Sequence, residues 1–200
     1  MARLETGVAV AEQFQIPMWI AATAMFRGWW RAKRGEIRAG IEQFSRGFAH
    51  WRDIGCEIAV PWWRAQLAQL HSWHGDSERA LALVAESVAQ VDRWLEHAHE
   101  AEIYRIQGDI LLGQESPESQ AAEESYQQAI RVAQAQHAKG WELRAAIALA
   151  RLWQSQGKTR EAHDLLVPVY DWFTEGFDTA DLKEAKALLE AWRTQGSDTN

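Results

Sequence analysis

Two hundred residues, nearly half of them apolar and about a quarter charged, suit one packed domain or one array of repeats and exclude a disordered chain. The net charge is −7, and residues 101–200 carry 10 basic against 16 acidic side chains, which argues against a nucleic-acid surface in that half. Cys56 is the only cysteine, so no disulfide framework exists, and no apolar run reaches the ~20 residues of a membrane span or the apolar core of a signal peptide. These bounds predict a soluble, cytoplasmic protein.

Only four prolines and long runs of Ala, Leu, Glu, Gln and Arg predict helix almost throughout. In chain order, residues 1–16 read as the second helix of a partial unit, because Leu4 and Gly7 stand one period before Phe44 and Gly47. The expectation is therefore that these residues are the tail of a longer protein or a piece cut from one. Four helix–turn–helix units follow over 17–57, 58–97, 98–137 and 138–175. Their first helices are expected at Pro17–Lys33, Pro61–Trp73, Ala101–Leu112 and Trp141–Gln156. Their second helices are expected near Glu36–Asp53, Ser77–Trp94, Pro117–Gln136 and Arg160–Phe173. Pro17, Pro61 and Pro117 fit a first helical turn, where no backbone donor is lost.

The repeat rests on matched positions. Gly35, Gly75 and Gly157 each separate two amphipathic stretches. Small residues follow at Gly40, Ala80, Ala122 and Ala162, and a bulky one comes four residues later at Phe44, Val84, Tyr126 and Leu166. A small residue lets two helices approach, and the bulky one fills the space beside it.

The array ends in "YDWFTEGFDTADLKEAKALLEAW". Tyr170, Trp172 and Phe173 close the last unit, Gly176 is a left-handed stop, and Asp178 caps a final helix over 178–193. Asp181 and Glu184 suit the positive end of its dipole, and Leu182, Ala185, Leu189 and Trp192 make one apolar stripe. Residues 194–200 read as a disordered polar tail. The architecture predicted is all-α: a right-handed superhelix of antiparallel helix pairs, repeating about every 40 residues, with a C-terminal capping helix.

This pattern resembles tetratricopeptide repeats in a long-helix variety, with units near forty rather than ~34 residues. "AEIYRIQGDILL", "AKGWELRAAIALARLWQSQGK", "LLVPVYDWFTEGFDTADLKEAKALLEA" and "FRGWWRAKRGEIRAGIEQFSRGFAHWRDIGCEIAVPWW" together resemble the C-terminal repeat region of a bacterial multidomain signalling family. In that family a class III adenylate/guanylate cyclase or another output domain precedes a STAND-type ATPase module, and the repeats form the tail. The resemblance implies no catalytic residue in this chain. The lysines and asparagines with which similar repeats read chaperone C-termini are absent.

Several motifs suggest chemistry and do not carry it. "SQGKT" (Ser155–Thr159) ends like a phosphate loop, but Leu152 stands where that loop needs glycine and the preceding segment is helical, so a turn is expected. The pairs His71/His74 and His97/His99 lack further ligands at a metal spacing. Arg27, Arg31, Lys33, Arg34 and Arg38 surround Trp29 and Trp30, which reads as a solvated face with a basic C-terminal turn rather than a nucleic-acid patch. Cys56 reads as a small core residue.

What remains is binding. In such arrays the first helices line a concave groove, which here would present Met25, Trp29 and Lys33, then Trp62, Gln69 and Trp73, then Arg105 and Asp109, then Arg144 and Arg151. Trp51, Trp94 and Trp153 read as core. An aromatic end and an Arg-rich end suit a peptide or helix with an apolar anchor and an acidic group. The expectation is a non-catalytic interaction or sensor module, without cofactor or metal. Its partners would be a protein ligand and the ATPase or output domains of a parent protein, with no nucleic acid or membrane. The alternatives are a free-standing adaptor and a scaffold segment of a cyclase.

Overall fold

The structure, a computed structural model, describes residues 2–94 and 96–197, and their side chains apart from those of 2–5, 12, 92, 94 and 194–197. Among the described residues the protein is all-helical, with ten α-helices packed in adjacent pairs and no strand. The expectations for Leu4, for the Trp94 side chain and for the last residues of the tail fall outside what is described. The chain divides into two compact units, Met1–His99 with Gly113–Glu115, and Glu100–Leu112 with Ser116–Asn200.

The first unit holds α1 (Ala2–Gln13), α2 (Pro17–Lys33), α3 (Ile37–Asp53), α4 (Val60–Trp73), α5 (Ser77–Trp94) and a 3₁₀ turn, His97–His99. Each helix packs on the next, and α2 also touches α4. The second unit holds α6 (Glu100–Leu112), α7 (Ser119–Ala135), α8 (Lys139–Ser155), α9 (Thr159–Asp171) and α10 (Ala180–Ser197). There again neighbours pair, and the alternate helices α6, α8 and α10 pack along one another.

One turn is used repeatedly. Beyond α2, the Glu36 N–H donates to Arg31 O at 3.1 Å and the Gly35 N–H to Ala32 O at 2.9 Å, with Gly35 at φ +96°. These two hydrogen bonds satisfy orphan carbonyls of the helix end and require a left-handed residue. The same arrangement closes α4 at Gly75 and α8 at Gly157. Among the described residues, left-handed residues recur at 15, 35, 55 and 75 and again at 137, 157 and 176, with another at Ala59, so within these two stretches one helix plus its turn occupies about twenty residues. The forty-residue repeat is thus two such steps. At 15 and 137 the residue is not glycine but Gln15 (φ +50°) and His137 (φ +54°), which is why a search for glycines misses those turns.

The matched positions form the core. Ala80, Ala122, Ala162, Phe44, Val84, Tyr126 and Leu166 are all buried. In the first unit the pair α2–α3 touches backbone to backbone. A Cβ on Gly40 would lie 2.6 Å from Gly28 O, and one on Gly28 would lie 2.6 Å from Phe44 N. In the second unit the Tyr126 ring fills the space beside Gly108, where a Cβ would meet it at 2.5 Å.

Several boundaries differ from expectation. α7 starts at Ser119, so Pro117 precedes the helix rather than opening it. α9 ends at Asp171, leaving Trp172 and Phe173 in the following turn. The last helix begins at Ala180, and the Lys183 N–H bonds Thr179 O at 3.1 Å, so the capping position is Thr179 and not Asp178. The Thr179 hydroxyl donates to Gly176 O at 2.7 Å, tying the cap to the left-handed Gly176 (φ +76°). α10 runs on to Ser197, past the expected end at 193. Leu182, Ala185, Leu189 and Trp192 are buried, as a stripe with that spacing requires.

Candidate functional site

The ten residues expected to line a groove divide sharply. In the first unit Trp29, Lys33 and Trp73 come together. Trp29 meets Trp73 with ring centroids 5.8 Å apart and meets Trp30 edge-on at 5.8 Å. Lys33 Nζ lies 4.7 Å from the centre of the Trp29 ring, a cation–π contact. Trp30 and Trp73 remain 42% and 38% exposed. Trp29 is half-buried, and its indole N–H has no hydrogen-bond partner among the described residues. The end of α2, its turn and the start of α3 add Arg31, Lys33, Arg34 and Arg38 against the single Glu36, which Arg31 Nη2 holds at 2.8 Å. An exposed aromatic pair beside a net positive rim results.

The same helix face continues outward. Trp19, Phe26 and Trp30 are exposed along α2, and Phe26 also reaches Trp63 with centroids 5.2 Å apart. Trp63 is the centre of a buried aromatic cluster with Phe44, Trp51 and Trp62, at 6.1, 5.8 and 4.4 Å. Trp62 stacks on His99 at 5.0 Å, and the Trp51 indole donates to Ile58 O at 3.1 Å. Much of the tryptophan excess is therefore internal packing.

Two expected groove residues are core instead. Met25 is fully buried on the face toward α3, where a Cβ on Gly47 would meet its Cγ at 2.9 Å. The missing side chain of Gly47 leaves space that Met25 fills, so Met25 does not share the open face of Trp29. Gln69 is buried on α4, along which Val60–Leu70 is buried except at Trp62.

In the second unit the four charged groove residues are tied up in ion pairs. Glu102 is only 2% exposed and takes Arg105 Nε and Nη2 at 2.8 and 2.9 Å and Arg144 Nη1 at 3.0 Å. Arg105 Nη1 also donates to Asp109 at 2.5 Å, and the Tyr126 hydroxyl donates to the other Asp109 oxygen at 2.9 Å. Burial by itself would lower the basicity of Arg105, but Glu102 and then Asp109 outweigh it and the pKa is raised. Tyr126 is pushed well above an ordinary phenol, first by burial and then by the Asp109 carboxylate. Arg144 further approaches Asp181 at 3.8 Å, and Arg151 pairs with Glu184 at 2.9 Å, both on α10. The open Arg-rich groove end expected from sequence is thus occupied by the protein's own carboxylates.

The remaining motifs have structural settings. Gly157 of "SQGKT" is the left-handed turn after α8, and Lys158 Nζ lies 3.6 Å from Glu123. His71 Nδ1 lies 3.3 Å from Asp76 across the turn after α4. Burial lowers its pKa, against the opposing pull of Asp76. No described helix is long and apolar enough to cross a membrane. Comparison with protein-family models finds no match, and comparison with curated proteins finds none either.

Proposed function

We propose that this chain is a non-catalytic interaction or sensor module, built as a right-handed tetratricopeptide-like solenoid and serving as the C-terminal regulatory tail of a signalling ATPase or nucleotide cyclase. The architecture is supported by the matched small and bulky core positions and by the packing of alternate helices in the second unit. The tail role rests on the resemblance of the quoted segments to the repeats of that signalling family.

The observation that carries a binding role is the exposed aromatic surface at Trp30 and Trp73, braced by Trp29 and Lys33 and bordered by basic side chains. Contiguous exposed aromatics mark interaction sites, and Trp and Arg dominate binding hot spots. The partner that fits is a peptide or helix with an apolar anchor and acidic flanks. Arg144 and Arg151 are not part of this surface, since α10 carboxylates engage them.

Two measurements test the reading. The in-frame coding sequence upstream of Met1 is expected to encode an ATPase or cyclase domain, and a separate, free-standing gene product would overturn the tail role. Tryptophan fluorescence titrated with an acidic amphipathic peptide is expected to saturate and to weaken at least ~10-fold when Trp30 and Trp73 become Ala. Unchanged affinity in that variant would sink the aromatic surface as the site.

A further inference from the structure

A cleft in the first unit gathers three arginines from three helices. Its walls are Arg52 at the end of α3, Arg64 on α4, and Glu86, Ala89, Gln90 and Arg93 on α5, around a cavity of about 290 Å³. Among the described lining residues three cations face one carboxylate, a formal balance of +2. Basic residues at helix C-termini suit the dipole, which accounts for Arg52 and Arg93 individually. It does not account for their convergence on a third, buried guanidinium.

Arg64 is the unusual member. Its side chain is only 10% exposed, a depth at which a guanidinium needs its charge and its five donors matched. Nη1 donates to the Gln90 amide oxygen, and Nε lies 3.3 Å from Glu86, whose side chain is 57% exposed. Nη2 has no partner among the described residues, and Arg52 and Arg93 form no ion pair among them. Burial lowers the Arg64 pKa, Glu86 opposes that, and the nearby Arg52 charge lowers it further. Arg144, eighty residues on, gives the contrast: the buried Glu102 carboxylate and Asp181 meet its charge.

We propose that this cleft binds the phosphoryl group of a small anionic ligand, with Arg64 as the buried anchor and Arg52 and Arg93 closing over the anion from the rim. Planar guanidinium forks match the oxygens of a phosphoryl group, and the anion would supply the negative charge that the three arginines lack. The volume lies at the bottom of the ~300–1,000 Å³ range of small-molecule pockets, which suits phosphate or pyrophosphate better than a whole nucleotide. The site shares no residue with the aromatic surface and stands independently of it.

The test is calorimetric titration of the full chain with inorganic phosphate and pyrophosphate at constant ionic strength, with acetate as the control anion. Saturable binding is expected, tighter for pyrophosphate than for phosphate and absent for acetate. The double variant Arg52→Gln, Arg93→Gln changes only exposed side chains, so its phosphate-free melting should match the parent. Its affinity should fall at least ~10-fold, as loss of charge-assisted bonds predicts. Absence of saturable binding, acetate binding as tight as phosphate, or undiminished affinity in the double variant would each overturn the proposal.

Discussion

Arg105 grips Glu102 through two parallel hydrogen bonds, Nε to Oε2 at 2.8 Å and Nη2 to Oε1 at 2.9 Å, with Arg144 completing the carboxylate at 3.0 Å. A carboxylate this deeply buried persists because two guanidinium groups offset its desolvation. Removing it leaves, among the described residues, the buried Arg105 with the Asp109 carboxylate alone and Arg144 with only the Asp181 carboxylate at 3.8 Å. Glu102→Ala is expected to cost about 3–5 kcal/mol in urea unfolding. The pair Arg151–Glu184, with side chains 57% and 37% exposed, is the internal comparison, and Arg151→Ala should cost under about 1 kcal/mol. Equal losses would contradict this ranking.

Glycines in this chain have opposite sensitivities to the same added methyl. A Cβ on Gly40 would meet Gly28 O at 2.6 Å and Ala32 N at 2.7 Å, which are backbone atoms that cannot swing away. Gly40→Ala should force α2 and α3 apart and lower stability by about 1–3 kcal/mol. Gly140, on α8, has nothing within 4 Å of a Cβ. Gly140→Ala should therefore stabilise, by up to about 1 kcal/mol. Thermal melts of the two variants should shift in opposite directions.

His137 occupies the left-handed turn position that glycine takes after α2, α4 and α8. For a residue with a side chain that conformation costs roughly 1–2 kcal/mol, part of which glycine's larger unfolded entropy offsets. His137→Gly is expected to raise the melting temperature by about 2–4 °C, the shift that ~1 kcal/mol produces in a chain of this size. A lower melting temperature would mean that the imidazole is stabilising the turn.

His71 links stability to pH. Burial holds its folded pKa below the ordinary 6.5, so between those two values the unfolded chain binds the extra proton. Its contribution is present above pH 6.5 and is lost as pH falls toward the lowered folded value. The parent should therefore lose stability between neutral and mildly acid pH by more than His71→Gln does. Parallel curves for the two proteins would rule out His71 as the titrating group.

The sequence by itself determined the local architecture. The spacing of small and bulky residues located the helix pairs, because burial of one face imposes its period on the chain. Glycines marked three of the turns, because a left-handed residue carries a steric cost that glycine avoids. Gln15 and His137 hid two further turns of the same kind, since nothing in the residue type announces a strained backbone.

Only the tertiary structure decided which side chains were left to act. Met25 and Trp29, four residues apart, looked like one face, yet the gap at Gly47 draws Met25 inward while Trp29 turns to Trp73. Arg144 and Arg151 looked open until α10 brought Asp181 and Glu184 against them. Arg52, Arg64 and Arg93 are scattered in sequence and meet only because α3, α4 and α5 pack in succession. Local periodicity encodes which residues are buried. The rotation of each helix about its axis, and the distant partner it meets, depends on shape complementarity between segments that no single window of sequence contains.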